Sequence, residues 1–358
     1  MGREMIYTDP HHGLTLKAHT TRNSRDRFRQ YIADHTKEVL DSAEESFSIC
    51  AGDFFHEFDN SSQVLNDSYQ NYLRTDVVLE GNHDVSTVKG AASSLEFFGN
   101  LHGLLGLSER VGRAEYNVPS FRCVERGGRD YWMMPHQTTQ GIFDEALEYI
   151  REAAATSVRE TGTSQSILIL HSNYANPFAA EETSLNLTRR QAEVALTVFD
   201  LVIVGHEHKF RTDFSDRLIV LGSPHPTNFG DICEKFILEI GEDGEPCLTT
   251  VWDPADHYYE ASWRDPLPSG LTDIHFVKLT GEAAAGEAPQ LAKAIQAAWT
   301  TLEPFAVKSE VQIIKPKDNL AGTLPDSSTW NILERVTSEL KTGSPDQYQL
   351  WKEITNDK

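Results

Sequence analysis

Histidine and acidic residues recur in five short motifs, in fixed order, within the first 210 residues. They are Asp9-Pro10-His11, Gly52-Asp53-Phe54-Phe55-His56, Gly81-Asn82-His83-Asp84, His171 and Gly205-His206-Glu207-His208. Carboxylate, imidazole and amide-oxygen donors suit borderline or hard divalent ions such as Mn²⁺, Zn²⁺ or Fe²⁺. The donors Asp9, His11, Asp53, Asn82, His171, His206 and His208 are enough for two ions with open positions. Two cations about 3.5–4 Å apart repel and need a bridging group, and Asp53 is the best-placed carboxylate. Water at such a pair ionises near neutral pH and can attack a phosphate ester. His83 stands between a ligand and the Asp84 carboxylate, and a charged imidazole suits a developing alkoxide; the other reading makes it a structural group remote from the chemistry. Half of the 14 histidines lie in these motifs, His12 among them. His12 adjoins a ligand, and its side chain is expected to point away. His102, His136, His225 and His257 read as structural or loop residues.

Each motif follows an apolar run: Met5-Ile6-Tyr7, Phe47-Ser48-Ile49-Cys50, Val77-Val78-Leu79, Ile167-Leu168-Ile169-Leu170 and Leu201-Val202-Ile203-Val204. This repeated strand-then-ligand pattern matters because open α/β sheets bind ligands at the carboxyl ends of their strands. Helical spacing predicts helices over 25–40, 62–73, 91–105 and 142–158. Residues 121–134 predict a hairpin turning at Gly127-Gly128. Strands dominate after residue 210, at 218–221, 236–240 and 248–252. The fold class is therefore α/β, a two-layered β core with helices outside. Pro, Ser and Gly cluster at 263–270 and mark a boundary. Beyond it a strand (274–279), a helix (287–302) and a strand (311–314) form a small β-α-β module. A turn-rich stretch covers 317–328. The tail carries Trp330, Leu333, Val336, Leu340, Trp351 and Ile354 at helical spacing, with Ser344-Pro345 restarting a helix. The expected division is 1–262, 263–325 and 326–358.

A hydrophobic fraction of 39% and a charged fraction of 24% describe an ordinary globular protein. No apolar run approaches the roughly 18 residues of a membrane span, no signal peptide is visible, and Ile6 does not fit a myristoylation signal. Cys50, Cys123, Cys233 and Cys247 form no CxxC and read as reduced thiols of a cytoplasmic protein. A net charge of −22 argues against indiscriminate nucleic-acid binding. Total charge is a poor guide to the local field, however. Lys17, Arg22, Arg25, Lys209 and Arg211 lie close in sequence to the ligand motifs and are candidate DNA contacts; the other reading is scattered, solvated charge.

Together these residues resemble the calcineurin-like metallophosphoesterase superfamily, and most closely its Mre11/SbcD-type DNA-repair nucleases, including phage recombination nucleases of that type. The subfamily signal is Gly52-Asp53-Phe54-Phe55-His56, with histidine three residues after the bridging aspartate. Gly222-Ser223-Pro224 followed by Asn228-Phe229-Gly230-Asp231 is a second. The resemblance covers residues 4 to about 255. It implies a two-sheet metallophosphoesterase β-sandwich flanked by helices, with a small α+β capping domain. One ion would be held by Asp9, His11, Asp53 and His208, the other by Asp53, Asn82, His171 and His206. His83 would assist the leaving oxygen, Asp84 would orient His83, and His56 would position the phosphate. The ions would be Mn²⁺, with Mg²⁺, Zn²⁺ or Fe²⁺ as alternatives. Pro10, His12 and the acidity depart from the family pattern.

Members of that family work with an SbcC/Rad50-like ABC ATPase, bound through helices after the capping domain. The 326–358 tail has that position; it could equally fold back on its own core. Helices after the second and third motifs build a homodimer in the family, and Leu95, Phe97, Phe98, Leu101, Leu104 and Leu105 supply apolar surface here. The leading expectation is a Mn²⁺-dependent exo- or endonuclease of DNA repair or recombination. The rivals are a phosphodiesterase or phosphatase acting on a small molecule or phosphoprotein, and a non-catalytic scaffold.

Overall fold

A computed structural model describes residues 3–43, 46–86, 91–103, 109–112, 118–161, 165–177, 185–268 and 270–314. The first part runs β1 (Glu4–Tyr7), α1 (Arg22–Ser42), β2 (Phe47–Cys50), α2 (Ser62–Arg74), β3 (Val77–Leu79), α3 (Ser94–Gly103) and β4 (Glu109–Val111). Then come β5 (Arg122–Arg126), β6 (Arg129–Met134), α4 (Gln140–Thr161), β7 (Gln165–His171), β8 (Asn173–Tyr174), β9 (Asn186–Leu187), α5 (Arg189–Ala195) and β10 (Leu201–Gly205). The rest is β11 (Arg211–Asp213), β12 (Leu218–Val220), β13 (Lys235–Ile240), β14 (Pro246–Trp252), α6 (Pro254–His257), β15 (Tyr258–Ser262), β16 (Phe276–Ala284), α7 (Ala288–Leu302) and β17 (Ala306–Ile314). None of the described helices is long and apolar enough to cross a membrane.

Two six-stranded mixed sheets build the core, ordered β14-β13-β1-β2-β3-β4 and β11-β12-β10-β7-β6-β5. Strands β1 to β4 are mutually parallel in the first, and β12, β10, β7 and β6 in the second. Side chains alternate across each strand, so every strand serves two layers. Ile6, Ile49, Val77 and Leu79 face Met133, Ile167, Ile169, Leu201 and Ile203 in one buried cluster between the sheets. On the other face of the first sheet, Met5, Tyr7, Cys50 and Val78 pack on Val39, Leu40, Val64, Tyr72, Leu95 and Phe98 of α1, α2 and α3. On the other face of the second, Trp132, Met134, Leu168, Leu170, Val202 and Val204 pack on Phe143, Leu147, Ile150 and Ala192 of α4 and α5. The result is the expected two-sheet α/β sandwich flanked by helices.

Helix α1 begins earlier than its apolar spacing predicts because Thr21 caps it. The Ser24 amide donates to Thr21 Oγ1 (3.1 Å) while the Thr21 amide donates to Ser24 Oγ (2.9 Å). The apolar residues of α3 divide. Leu95 and Phe98 are buried against their own sheet. Phe97 and Leu101 stay exposed, at 52% and 37%; Leu104 and Leu105 lie outside the described residues. The chain divides into two compact units: a larger one up to Tyr259 together with Gly270–Val277 and Leu302–Ala306, and a smaller one of Glu260–Ser269, Lys278–Thr301 and the strand from Val307. A third sheet has the order β15-β16-β17. In the smaller unit Trp263 Nε1 donates to the Glu282 carbonyl (3.0 Å), and Lys278 pairs with Glu260 and Glu310. The tail at 326–358 lies outside the described residues.

Candidate metal centre

The ligand loops continue the parallel ladder beyond the strands. The Asp9 amide donates to the Gly52 carbonyl (3.0 Å), His11 to Asp53 (3.1 Å), His12 to Phe54 (2.9 Å) and His56 to His12 (3.0 Å). The first two motifs are thereby locked side by side. Left-handed backbone then turns the donors inward, with φ 54° at Asp9, 48° at His11, 48° at Asp53 and 92° at His206. Such residues cost on the order of 1–3 kcal/mol each and persist only where the surroundings hold them. Two glycines make the approach possible. A Cβ at Gly52 (φ +116°) would collide with the His171 ring, and one at Gly81 with the Asp53 carboxylate and amide.

Two donor groups result. In the first, His11 Nε2 lies 2.9 Å from His208 Nε2 and 3.8 Å from Asp9 Oδ1, and His208 Nε2 lies 4.0 Å from the same oxygen. In the second, Asn82 Oδ1 lies 3.1 Å from His171 Nε2 and 2.8 Å from His206 Nδ1. Asp53 serves both: Oδ1 lies 3.3 Å from His171 Nε2, and Oδ2 lies 3.8 Å from His11 Nε2. Donors about 2.1 Å from a shared ion stand about 3.0 Å apart at right angles and about 4.2 Å apart across it, so this spacing suits a cation in each group. Asp9 Oδ1 is buried with no hydrogen-bond partner among the described residues, and it faces imidazole nitrogens. A buried carboxylate oxygen without a donor is the feature that an ion would satisfy. The donor set therefore fits two divalent ions.

The ring tautomers agree. His171 Nδ1 donates to the Ala51 carbonyl (2.9 Å) and leaves Nε2 for the centre. His208 Nδ1 meets Thr227 Oγ1 at 2.9 Å and likewise turns Nε2 inward. Burial would raise the Asp53 carboxyl, but His171, and then His11 and His83, together hold it well below the usual carboxylate range. Burial would lower His171, yet the Asp53 carboxylate overrides it and the ring is held up to about 9. Burial pushes His11 well below the usual imidazole range, and His206 is lowered by burial and by His171. Without metal, the charge of Asp53 is thus balanced by a proton on its partner imidazole.

His83 and His56 stand beside the first group. Their rings stack with centroids 5.1 Å apart, and each is edge-on to His11, at 5.0 Å and 5.3 Å. His83 Nδ1 lies 2.6 Å from the His56 carbonyl oxygen. Burial, then the His83 charge, lowers His56 to about 4, with a smaller push from Lys17, which is exposed. The expected role of Asp84 is corrected. Its carboxylate does not orient the His83 ring but accepts from the amides of Phe54 (3.1 Å), Phe55 (2.8 Å) and Gly81 (2.9 Å). Burial and then Asp53 push this carboxyl up to about 8, against three donors that favour its ionised form.

Of the cationic candidates, Arg22 and Arg25 occupy the first turn of α1, exposed and half-buried, and Lys209 is exposed directly after His208. Arg211 is largely committed: Nε and Nη2 bind Glu207, Nη2 also binds the Tyr174 carbonyl (2.5 Å), and the guanidinium covers the Tyr174 ring. His12 packs on Phe54 and Phe55 and joins no donor group among the described residues. His225 is structural, one of the two expected readings: it is fully buried and its Nε2 meets the Pro10 carbonyl at 2.9 Å, bracing the first ligand loop. His136 follows β6 as His171 ends β7, with the rings 6.3 Å apart. His257 stacks on His275 beside Asp273; His102 has no described side chain. Sequence reasoning also missed Thr8, whose hydroxyl donates to Asp9, and the Thr227–Asp231–Lys235 support of His208. The 222–231 segment was the available signal for that support.

A sequence profile described as calcineurin-like phosphoesterase matches residues 4–210. No curated protein matches. Among solved structures, the chain is similar to an NAD nucleotidase of Haemophilus influenzae, with 11% identity and a TM-score of 0.34, over 69% of this chain and 55% of that one. A purple acid phosphatase of yellow lupin (Lupinus luteus) shows 14% identity and a TM-score of 0.35, over 58% of this chain and 38% of its own length. The calcineurin-like phosphoesterase YfkN of Bacillus subtilis shows 12% identity and a TM-score of 0.35, over 70% and 88%. The chain thus spans about half, or less, of the length of the first two.

Proposed function

The chain belongs to the calcineurin-like phosphoesterase family, metal-dependent hydrolases of phosphoester bonds, and from that premise we propose that it is a binuclear-metal nuclease acting on DNA. One observation carries the reading. His56, three residues beyond Asp53, meets His83 ring to ring and reaches His11, so two imidazoles stand together beside the donor groups. This is the feature by which the sequence resembles the Mre11/SbcD-type nucleases rather than phosphatases at large.

When bound, the two divalent ions supply a hydrolytic nucleophile from water and a clamp on the phosphoryl oxygens. Asp9, His11, Asp53 and His208 would hold one, and Asp53, Asn82, His171 and His206 the other. Mn²⁺ is the proposed resident. His83 donates its Nδ1 proton to the His56 carbonyl, which leaves Nε2 to protonate the departing ester oxygen. His56 presents a polar ring edge to the phosphate. Lys17, Arg22, Arg25 and Lys209 would give local contacts to the DNA backbone. With a net charge of −22, the chain's grip on DNA would depend on a partner. That partner is an SbcC/Rad50-like ABC ATPase, engaged through residues 326–358. A homodimer through α2 and α3 would cover Phe97 and Leu101.

The same net charge favours a second reading, a phosphodiesterase or phosphatase acting on a small phosphoester. Hairpin, blunt and overhang DNAs should be compared with bis-p-nitrophenyl phosphate in Mn²⁺, with and without the cognate ATPase. Cleavage of DNA supports the nuclease. Hydrolysis of the small ester alone, with DNA intact even beside the ATPase, would establish the second reading. Removal of residues 326–358 should abolish co-purification with the ATPase.

A further inference from the structure

Glu207 lies between two ligands, His206 and His208, and neither the resemblance nor the donor groups give it a task. Its carboxylate closes a ring of contacts. Oε1 accepts from the Tyr174 amide at 2.7 Å and from Arg211 Nη2 at 2.8 Å, and Oε2 accepts from Arg211 Nε at 3.2 Å. Arg211 Nη2 in turn donates to the Tyr174 carbonyl at 2.5 Å, and its guanidinium lies 4.9 Å from the Tyr174 ring centre. Tyr174 is buried, three residues beyond His171. Its hydroxyl donates to Asp213 at 2.6 Å, and Asp213 is held by Arg189. The segment leaving β7 is therefore tied to the segment leaving β10 by Arg211, Asp213 and Glu207, and Glu207 is the tie that adjoins the ligand histidines.

The two segments carry His171 and His206, the histidines of a single donor group. His206 and His208, on either side of Glu207, are not equally supported. The His208 ring is fixed by Thr227, Thr227 by Asp231, and the His208 carbonyl by Lys235 Nζ at 2.8 Å. Among the described residues the His206 ring is hydrogen-bonded only to Asn82, itself a donor of the same group. Its position depends on the course of its loop, which the His206 amide's bond to Asp9 Oδ2 (2.9 Å) and the Glu207 contacts set together.

We propose that Glu207, with Arg211 and Tyr174, is a positioning brace that sets the affinity of the Asn82–His171–His206 site for its ion, leaving the Asp9–His11–His208 site nearly untouched. This rests on the binuclear reading of the centre. The test is calorimetric titration of the metal-free full chain with Mn²⁺, with bound metal counted by elemental analysis. The parent chain is expected to bind two ions. Glu207→Ala should keep one at parental affinity and bind the other about 10–100-fold more weakly. Glu207→Gln keeps an oxygen for the Tyr174 amide and should restore most of the loss, a rescue that general loosening would not give. If Glu207→Ala fails to fold, Arg211→Met removes the ion pair while keeping reach over the Tyr174 ring, and the same selective weakening is expected. Parental affinity for both ions in the variants, or equal loss of both, would overturn the brace. A parental stoichiometry below two would instead remove the binuclear reading, and the brace with it.

Discussion

At the scale of single residues, Asp53 and His171 hold the clearest electrostatic consequence. His171 is held up to about 9, above the ordinary 6.5, so its share of metal-free stability is full below 6.5 and is lost as pH rises through about 9. Asp53 is held below its ordinary 3.8, so its share is present above 3.8 and is lost as pH falls through the lowered value. A metal ion must displace the His171 proton. Loading the metal-free chain with Mn²⁺ near pH 7.5 should therefore release protons, and affinity should climb with pH towards 9. Titration calorimetry in buffers of different ionisation enthalpy measures the release, and a buffer-independent heat would refute it. Asp53→Asn should lose metal, because Oδ1 and Oδ2 face different donor groups. His83→Asn should keep its metal content and slow turnover by about 10²–10⁴-fold. Retained turnover would remove His83 from proton transfer.

At the scale of elements, the second and third ligand loops are stapled by Asp84, whose carboxylate collects the Phe54, Phe55 and Gly81 amides. Asp84→Asn would set an NH₂ against amide donors and leave one buried donor unpaired. The expected cost is about 1–3 kcal/mol, read as a lower urea midpoint. Activity should fall with it, since Gly81 and Asp53 fit together without room for a methyl group. Helix α1 rests on its Thr21–Ser24 box, and Thr21→Ala should cost about 1 kcal/mol. That change should leave metal content unaltered, because the cap joins neither donor group.

At the scale of the whole molecule, the two sheets hold the centre open by packing against each other. Ile169 is fully buried between them, and Ile169→Ala should cost about 2–5 kcal/mol in chemical denaturation. Metal acts on the same balance, since an ion that binds only the folded chain stabilises it by about 2.7 kcal/mol at a hundredfold excess over Kd. Chelation should therefore lower the thermal midpoint, and Asp53→Asn should remove most of that response. An unchanged midpoint in both would mean that the donors do not hold metal in the folded chain.

The sequence alone determined the sandwich and the candidate donors, because both are written locally. An apolar run specifies a buried strand, and the polar residues that end it stay next to that run in the chain. The Gly127-Gly128 turn and the long helices are legible for the same reason, whereas the Thr21–Ser24 cap went unread and α1 starts before its apolar period. Elements too short to show a period were not legible: β8 and β9 have two residues each and α5 has seven. Tertiary structure alone decided which donors meet. His11 and His208 are 197 positions apart, and nothing local sets the 2.9 Å between them. It also decided that Asp84 serves backbone amides rather than His83, that His225 braces Pro10, and that Arg211 turns to Glu207 and Tyr174. A buried polar group takes whichever partner the packed chain brings within reach, and that choice is made by sheet register and loop course, not by neighbours in sequence.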